Sequence, residues 1–275
     1  MIRLYVEGIG LRGPGLNGWA ESLPVLAGRQ DYLAAPTSIP PSLLLPANER
    51  RRAAQIVKIA LAVGTEAFAA AGRDPAGTAT VFTSSGGDGD TIHDILSVLA
   101  SPQRELSPTR FHNSVHNAAS GYWSIATGST AASTSLCCHD DSFAAGLLEA
   151  AVQAAAGQGA VALIAYDVQY PAPLSEVRPI GAAFAAALVL SPTATAASFA
   201  SIDLQLLSET GAPTAAASPG LEMLRQNTPA ARSLPLLAAL ACRVEAGIDL
   251  GYLDDMILEL RVIPFFVETA AGPLR

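Results

Sequence analysis

Gly128-Ser129-Thr130-Ala131-Ala132-Ser133-Thr134-Ser135-Leu136-Cys137-Cys138-His139-Asp140-Asp141-Ser142-Phe143-Ala144-Ala145-Gly146 reads as a strand, a sharp turn and a helix. Thr130 to Leu136 has the β-rich character of a strand, and Asp140 to Ala156 carries Phe143, Leu147, Leu148, Ala151 and Ala155 at helical spacing. Cys137 falls at the turn, where the N–H groups of a starting helix lower a thiol pKa and can hold a developing oxyanion. That is a nucleophile's position. Free cysteines are also common as small buried core residues, and that alternative stays open for Cys137 and Cys138. Asp140 and Asp141 suit a helix N-terminus, yet their charge works against an ionised thiol beside them.

Outward from this stretch, strands and helices alternate. Ile2 to Ile9 predicts a first strand, Gly10 to Gly15 a turn, and Asn17 to Leu26 a short helix. Pro36, Pro40, Pro41 and Pro46 make a loop of Ala35 to Pro46. Asn48 looks like the N-cap of a long Ala-rich helix running to Ala71, with Ile56, Ile59, Ala60, Val63 and Ala67 on one face. Ala79 to Thr83 predicts a strand that enters the Gly-rich loop Ser84 to Asp90, followed by a helix over Thr91 to Leu99 and another over Ala118 to Ala126. The continuous apolar run Gly159 to Tyr166 predicts a central strand covered on both faces. Ile180 to Leu190 and Ser198 to Leu207 add two strands, and Leu234 to Ala246 a helix. Gly251 to Thr269 mixes helix and strand signals. The pattern is that of a layered α/β protein.

The 275 residues are 50% hydrophobic and 15% charged, which supports a sizeable core and excludes a disordered chain. A formal net charge of -8, with no basic run beyond Arg50-Arg51-Arg52, argues against nucleic acid as a partner. Three cysteines, two of them adjacent, fit a reducing compartment. Met1 to Val6 has no long apolar core and no cleavage site, so no signal peptide is expected. The most apolar run, Ile180 to Leu190, is too short to span a bilayer. A cytoplasmic protein without membrane attachment is the expectation.

Three motifs have plain alternatives. Gly8-Ile9-Gly10-Leu11-Arg12-Gly13 matches a dinucleotide fingerprint, but Pro14 and Gly15 deny the third glycine its helix, so a Gly-rich turn is preferred. Ser84 to Gly89 lacks the Lys-Ser/Thr end of a phosphate-binding loop. His112 and His116 stand four apart, a spacing that could bind zinc on a helix, but no cysteine lies near and Asn113 and Asn117 accompany them. A hydrogen-bonding turn at an interface is preferred, and no metal or cofactor is expected.

The block from Gly128 resembles the nucleophile elbow of β-ketoacyl synthases, in which a strand leads to a Thr-Ala-Cys turn and an Ala-rich helix. Cys137 meets that family's nucleophile position. Arg50-Arg51 before the Ala-rich helix, Val81 to Gly87, and Gly181 to Leu190 resemble further parts of the family in the same order, over roughly residues 1 to 207. Phe111-His112-Asn113-Ser114-Val115-His116-Asn117 and Ser142 to Ala150 are similar to a smaller group, the ketosynthase-like chain length factors of aryl polyene clusters. The resemblance implies a thiolase-like α/β/α fold: the N-terminal half of a ketosynthase over 1–207, with a short C-terminal extension over 208–275 packed on the same domain.

The condensing enzymes of this family use one Cys and two His, both His from the second half of their chain. Here the last histidine is His139, and the His-Gly-Thr and Asn-Gly-Phe-Gly type motifs are absent. The resemblance therefore implies a subunit without condensing activity of its own. It would pair with a full-length ketosynthase, meet an acyl carrier protein through that complex and help shape the acyl tunnel; a homodimer is the other pairing. Pairing in the family runs through the strand before the elbow, here Thr130, Ala132, Thr134 and Leu136, and the segment with His112, Asn113, His116 and Asn117 is expected beside it. An acyl transferase or thioesterase using Cys137 with His139 or His116 is the alternative.

Overall fold

The computed structural model describes residues 1–208, 211–253 and 255–265. Eight strands form one mixed sheet. In chain order they are β1 (Ile2–Arg12), β2 (Ala79–Thr83), β3 (Ser133–Leu136), β4 (Val161–Asp167), β5 (Phe184–Ser191), β6 (Ala200–Leu207), β7 (Ala246–Tyr252) and β8 (Met256–Pro264). Their spatial order is β3-β2-β4-β5-β1-β6-β8-β7. β3, β2 and β4 run parallel, and from β5 outward every neighbour is antiparallel.

Helices cover both faces, as a sheet with two apolar faces requires. Every residue of β4 and β5 is buried, and the side chains divide by parity. Ala186, Leu188 and Leu190 join one core, while Ala185, Ala187 and Val189 join the other. Against the first core lie α1 (Trp19–Leu26), α7 (Ser142–Gln153), α9 (Pro219–Asn227) and α10 (Leu234–Cys242). Against the second lie α3 (Gln55–Ala71) and α6 (Ala118–Thr127). This is the layered thiolase-like α/β/α arrangement.

The expected turn at Gly10 to Gly15 begins later, because β1 continues to Arg12. A Cβ on Gly8 would lie 2.1 Å from the Ala67 carbonyl oxygen, and one on Gly10 would lie 2.0 Å from that of Val63. These glycines let the backbone of α3 rest on β1, which explains the fingerprint-like spacing without a nucleotide.

The long helix expected from Asn48 is two helices. α2 (Ala47–Arg52) is capped by Pro46 rather than Asn48, and Ala53 and Ala54 are extended before α3 starts. α2 buries none of its residues, so no packing holds it in line with α3. Asn113 Nδ2 donates to the Arg52 carbonyl (2.9 Å) and satisfies its end.

The strand expected over Thr130 to Leu136 shortens to β3, and the helix expected from Asp140 begins at Ser142 after a 3₁₀ turn, His139–Asp141. α10 stops at Cys242, where Arg243 takes a left-handed conformation (φ 53°), so residues up to Ala246 are not helical. The ambiguous tail is strand: β7 and β8 extend the same sheet, β8 pairing along β6 from Ile257 to Pro264. Of that segment, 254 and 266–269 lie outside the described residues. The remaining helices are α4 (Gly89–Ala100), α5 (Pro108–Asn113) and α8 (Leu174–Val177).

Candidate functional site

The elbow forms where β2 and β3 end side by side. Cys137 follows the last residue of β3 and is exposed, as is Cys242, while Cys138 is half-buried. Neither Cys137 nor Cys138 is the small buried core residue that the alternative reading allowed. The Cys137 thiol donates to the Ser85 carbonyl (2.9 Å), so it faces the Gly-rich loop after β2.

A local knot shapes the turn. Cys138 N–H donates to Ser142 Oγ (2.9 Å), and that hydroxyl donates to the His139 carbonyl (2.7 Å). His139 closes the knot at φ 50°, a left-handed conformation uncommon for a residue with a side chain. Burial pushes the Cys138 thiol up, and neighbouring Cys137 and Asp141 add to it.

The acids after the turn face arginines. Asp140 contacts Arg178 (2.6 Å) and Arg232 (2.9 Å), and Asp141 contacts Arg232 (2.6 Å). Burial acts to raise the Asp140 carboxyl, but the hydrogen bond from Arg178 and the charges of Arg232, Arg178 and His139 bring it below the ordinary range. At Asp141 burial wins and the carboxyl is raised. His139 is exposed, with Nδ1 3.5 Å from Asp140 Oδ1. Among the described residues no histidine hydrogen-bonds to Cys137.

His112 and His116 do not share a helix face, because α5 ends at Asn113. His112 is exposed and sits edge-on to Tyr122 with ring centroids 6.2 Å apart. His116 stands beside Gly87, its Nε2 buried without a partner. Asn113 is buried: it donates to the Arg52 carbonyl and accepts from the Tyr122 hydroxyl (3.1 Å), so it fastens the segment from within. Asn117 is exposed and its carbonyl accepts from Ser120 Oγ.

Of the four positions expected for strand pairing, Thr134 and Leu136 lie in β3, while Thr130 and Ala132 precede it and are exposed. Thr134 Oγ1 accepts from Gln153 Nε2 (2.9 Å), and Leu136 packs against the core. Among the described residues β3 pairs with β2 alone, and its outer edge is open. α4 buries only Gly89 and Thr91 of its twelve residues, and Leu96, Leu99, Phe111 and Val115 are exposed. Three groups escaped the sequence reading: Arg178, Arg232 and Asp167. The one local signal was an acid ending the apolar run Val161 to Tyr166.

The fold has counterparts. A chain of the complex of the ketosynthase ApeO with its chain length factor ApeC from Xenorhabdus doucetiae is 21% identical, with a TM-score of 0.73 over 95% of this chain and 100% of that one. A chain of AntDE:AntF, a type II PKS acyl-carrier protein in complex with its ketosynthase bound to the hexaketide, is 12% identical, with a TM-score of 0.73 over 96% and 99%. A β-ketoacyl synthase from Burkholderia phymatum STM815 is 16% identical, with a TM-score of 0.61 over 84% of this chain and 71% of that one. No curated protein matches significantly. Residues 27–241 match the family model of the β-ketoacyl synthase N-terminal domain, and the chain belongs to that family.

Proposed function

We propose that this chain is a ketosynthase-like chain length factor: a subunit that pairs with a full-length β-ketoacyl synthase, adds no condensation chemistry of its own and helps shape the acyl tunnel during type II polyketide elongation of the aryl polyene kind. One observation carries the reading. The elbow keeps its turn and its thiol, but the thiol's hydrogen bond goes to the Ser85 carbonyl and the nearest histidine in sequence, His139, turns to Asp140. Condensation needs imidazoles to assist decarboxylation and stabilise the enolate, and among the described residues none bonds this thiol. The fold also supports it: the match covers 95% of this chain and the whole of a chain of the ApeO–ApeC complex.

The open edge of β3, continued by the exposed apolar side chains of α4 and α5, is the surface we assign to the ketosynthase. His112, His116 and Asn117 border it, while buried Asn113 braces it. For an acidic carrier protein, the exposed Arg51 and Arg52 of α2 are the local basic spot on an otherwise acidic chain. We read residues 208–275 as an extension of the same domain.

Co-expression with the ketosynthase encoded beside it tests the pairing: a stable complex at low salt is expected, and failure to co-purify overturns the reading. The exposure of Cys137 favours one other reading, an acyl transferase or thioesterase. Mass spectrometry after incubation with an acyl thioester decides it. An unmodified chain is expected, and a stable adduct on Cys137 would favour the enzyme.

A further inference from the structure

Asp167 ends β4 at 2% exposure, and among the described residues no cation lies within ion-pair distance of it. A carboxylate buried without a cation is costly unless donors surround it. Here four do, and they come from two distant segments. Oδ1 accepts from Ser84 Oγ (3.2 Å), Ser85 N–H (2.8 Å) and Ser85 Oγ (2.7 Å). Oδ2 accepts from Ala230 N–H (2.9 Å).

Both segments matter to the elbow. Ser84 Oγ also accepts from Gly87 N–H (3.1 Å), so the carboxylate organises the loop as far as Gly87, and the Ser85 carbonyl receives the Cys137 thiol. Tyr170, three residues on, closes over the same loop: a Cβ on Gly86 would lie 2.2 Å from its hydroxyl oxygen, and one on Gly89 2.3 Å from its ring. α4 leaves from this loop. Ala230 belongs to the buried 3₁₀ turn Pro229–Ser233, which Ser233 Oγ closes onto the Ala230 carbonyl (2.7 Å), and its Arg232 holds Asp140 and Asp141 after the thiol.

We propose that Asp167 is the positioning residue of the elbow: one carboxylate fixes the Ser84 to Gly89 loop, and through Ser85 the Cys137 thiol, against the segment Thr228 to Ser233. The docked C-terminal segment thus sets the conformation of a turn whose thiol it does not touch. The inference rests on geometry alone and stands whether or not the pairing with a ketosynthase holds.

The two carboxylate oxygens make the test selective. In Asp167→Asn the amide oxygen keeps the place with three donors, and the NH₂ group meets the Ala230 N–H. In Asp167→Ala both attachments go. Hydrogen exchange by mass spectrometry reads the two segments, and the alkylation rate of Cys137, in a Cys138→Ser, Cys242→Ser background, reads the turn. For Asp167→Asn, exchange rises about tenfold at 228–233 while 84–89 and the alkylation rate stay within about twofold of wild type. For Asp167→Ala both segments exchange faster and Cys137 alkylation changes at least about fivefold, with β6 and β8 unaffected. Ala230→Pro, which removes the donor instead, reproduces the Asn pattern, and Ser85→Ala, which removes a donor to Oδ1, changes Cys137 alkylation and serves if the Ala variant does not fold. The proposal is overturned if the Asn variant loosens both segments alike, if the Ala variant leaves Cys137 alkylation unchanged, or if exchange rises evenly across β6 and β8.

Discussion

The two outer strands of the sheet are finished differently. β7, at one edge, is covered by its own chain: Thr214 N–H donates to the Asp249 carbonyl (2.8 Å), Asp249 N–H donates to Thr214 Oγ1 (2.9 Å), and Pro213 lies against Gly251. β3, at the other edge, has no such cover among the described residues. Unpaired strand edges recruit further strands, and natural proteins shield the ones they do not use. The chain closes one edge with a threonine and a proline, and among the described residues the other edge, at β3, stays open.

The sharpest way to break that contrast is a proline that leaves β3 in the sheet but spoils its free side. The Ala132 and Leu136 carbonyls accept from Thr80 and Ser84 on the β2 side. Backbone groups alternate along a strand, so those of Ser133 and Ser135 point outward. Ser135→Pro removes an outward N–H without touching the ladder to β2. The affinity for the ketosynthase, read by calorimetry, falls by more than about a hundredfold, while Gly247→Pro at the opposite edge leaves it unchanged. Equal losses from both substitutions would dissolve the distinction between the edges.

How much of this was legible beforehand follows the range of the interactions. Val161 to Tyr166 announced a central strand because its continuous apolarity is a local property, and Ala79 to Thr83 was bounded correctly for the same reason. The tail was ambiguous although Ile257, Leu258, Leu260 and Val262 are buried around exposed Glu259 and Arg261. The intensely apolar α10 just before it masks where helical periodicity gives way to alternation. α9 has a Ser218 cap and Pro219 at its start, but only Leu221 and Leu224 reach the core, too few to show helical periodicity in the sequence. At the elbow the turn and the thiol could be read. What surrounds them could not: the donors to Asp167 lie 82 and 63 residues away in sequence, and nothing near Gly8 or Gly10 announces that α3 will rest on them.

Asp167 also gives a graded handle on the open end. Burial raises its carboxyl to about 6, the largest influence, against hydrogen bonds from Ser85, Ala230 and Ser84 that act to lower it. Its ionisable neighbours are Tyr166, the residue before it on the strand, and Tyr170, both with raised phenols. A folded-state value above the unfolded one means that the folded chain holds the proton more tightly. The resulting stabilisation is complete below the unfolded value and is lost as the pH rises through about 6. Asp167→Asn cannot titrate, so the stability of wild type relative to this variant falls by about 2 kcal/mol from about pH 4 to about pH 7 in urea titrations. Taking the difference matters, because Glu7, Asp203 and Glu222, each lowered beside an arginine, push wild type the other way. A flat difference would mean that the carboxylate is as well solvated in the fold as outside it.

The smallest effect belongs to the shielded edge. Thr214→Ala removes the hydroxyl that accepts from Asp249 N–H but keeps the backbone N–H that donates to its carbonyl. One half of the cover is lost, and the freed N–H turns to water because the edge borders solvent. The expected cost is about 1 kcal/mol in urea unfolding, the size of a single net hydrogen bond, with ketosynthase affinity unchanged. The sharper reading is self-association. If the cover is there to keep strands off β7, light scattering of the variant at high concentration shows new oligomers that Gly247→Pro in the same chain abolishes. If scattering matches wild type, one hydrogen bond and Pro213 already suffice, and the contrast between the two edges rests on β3 alone.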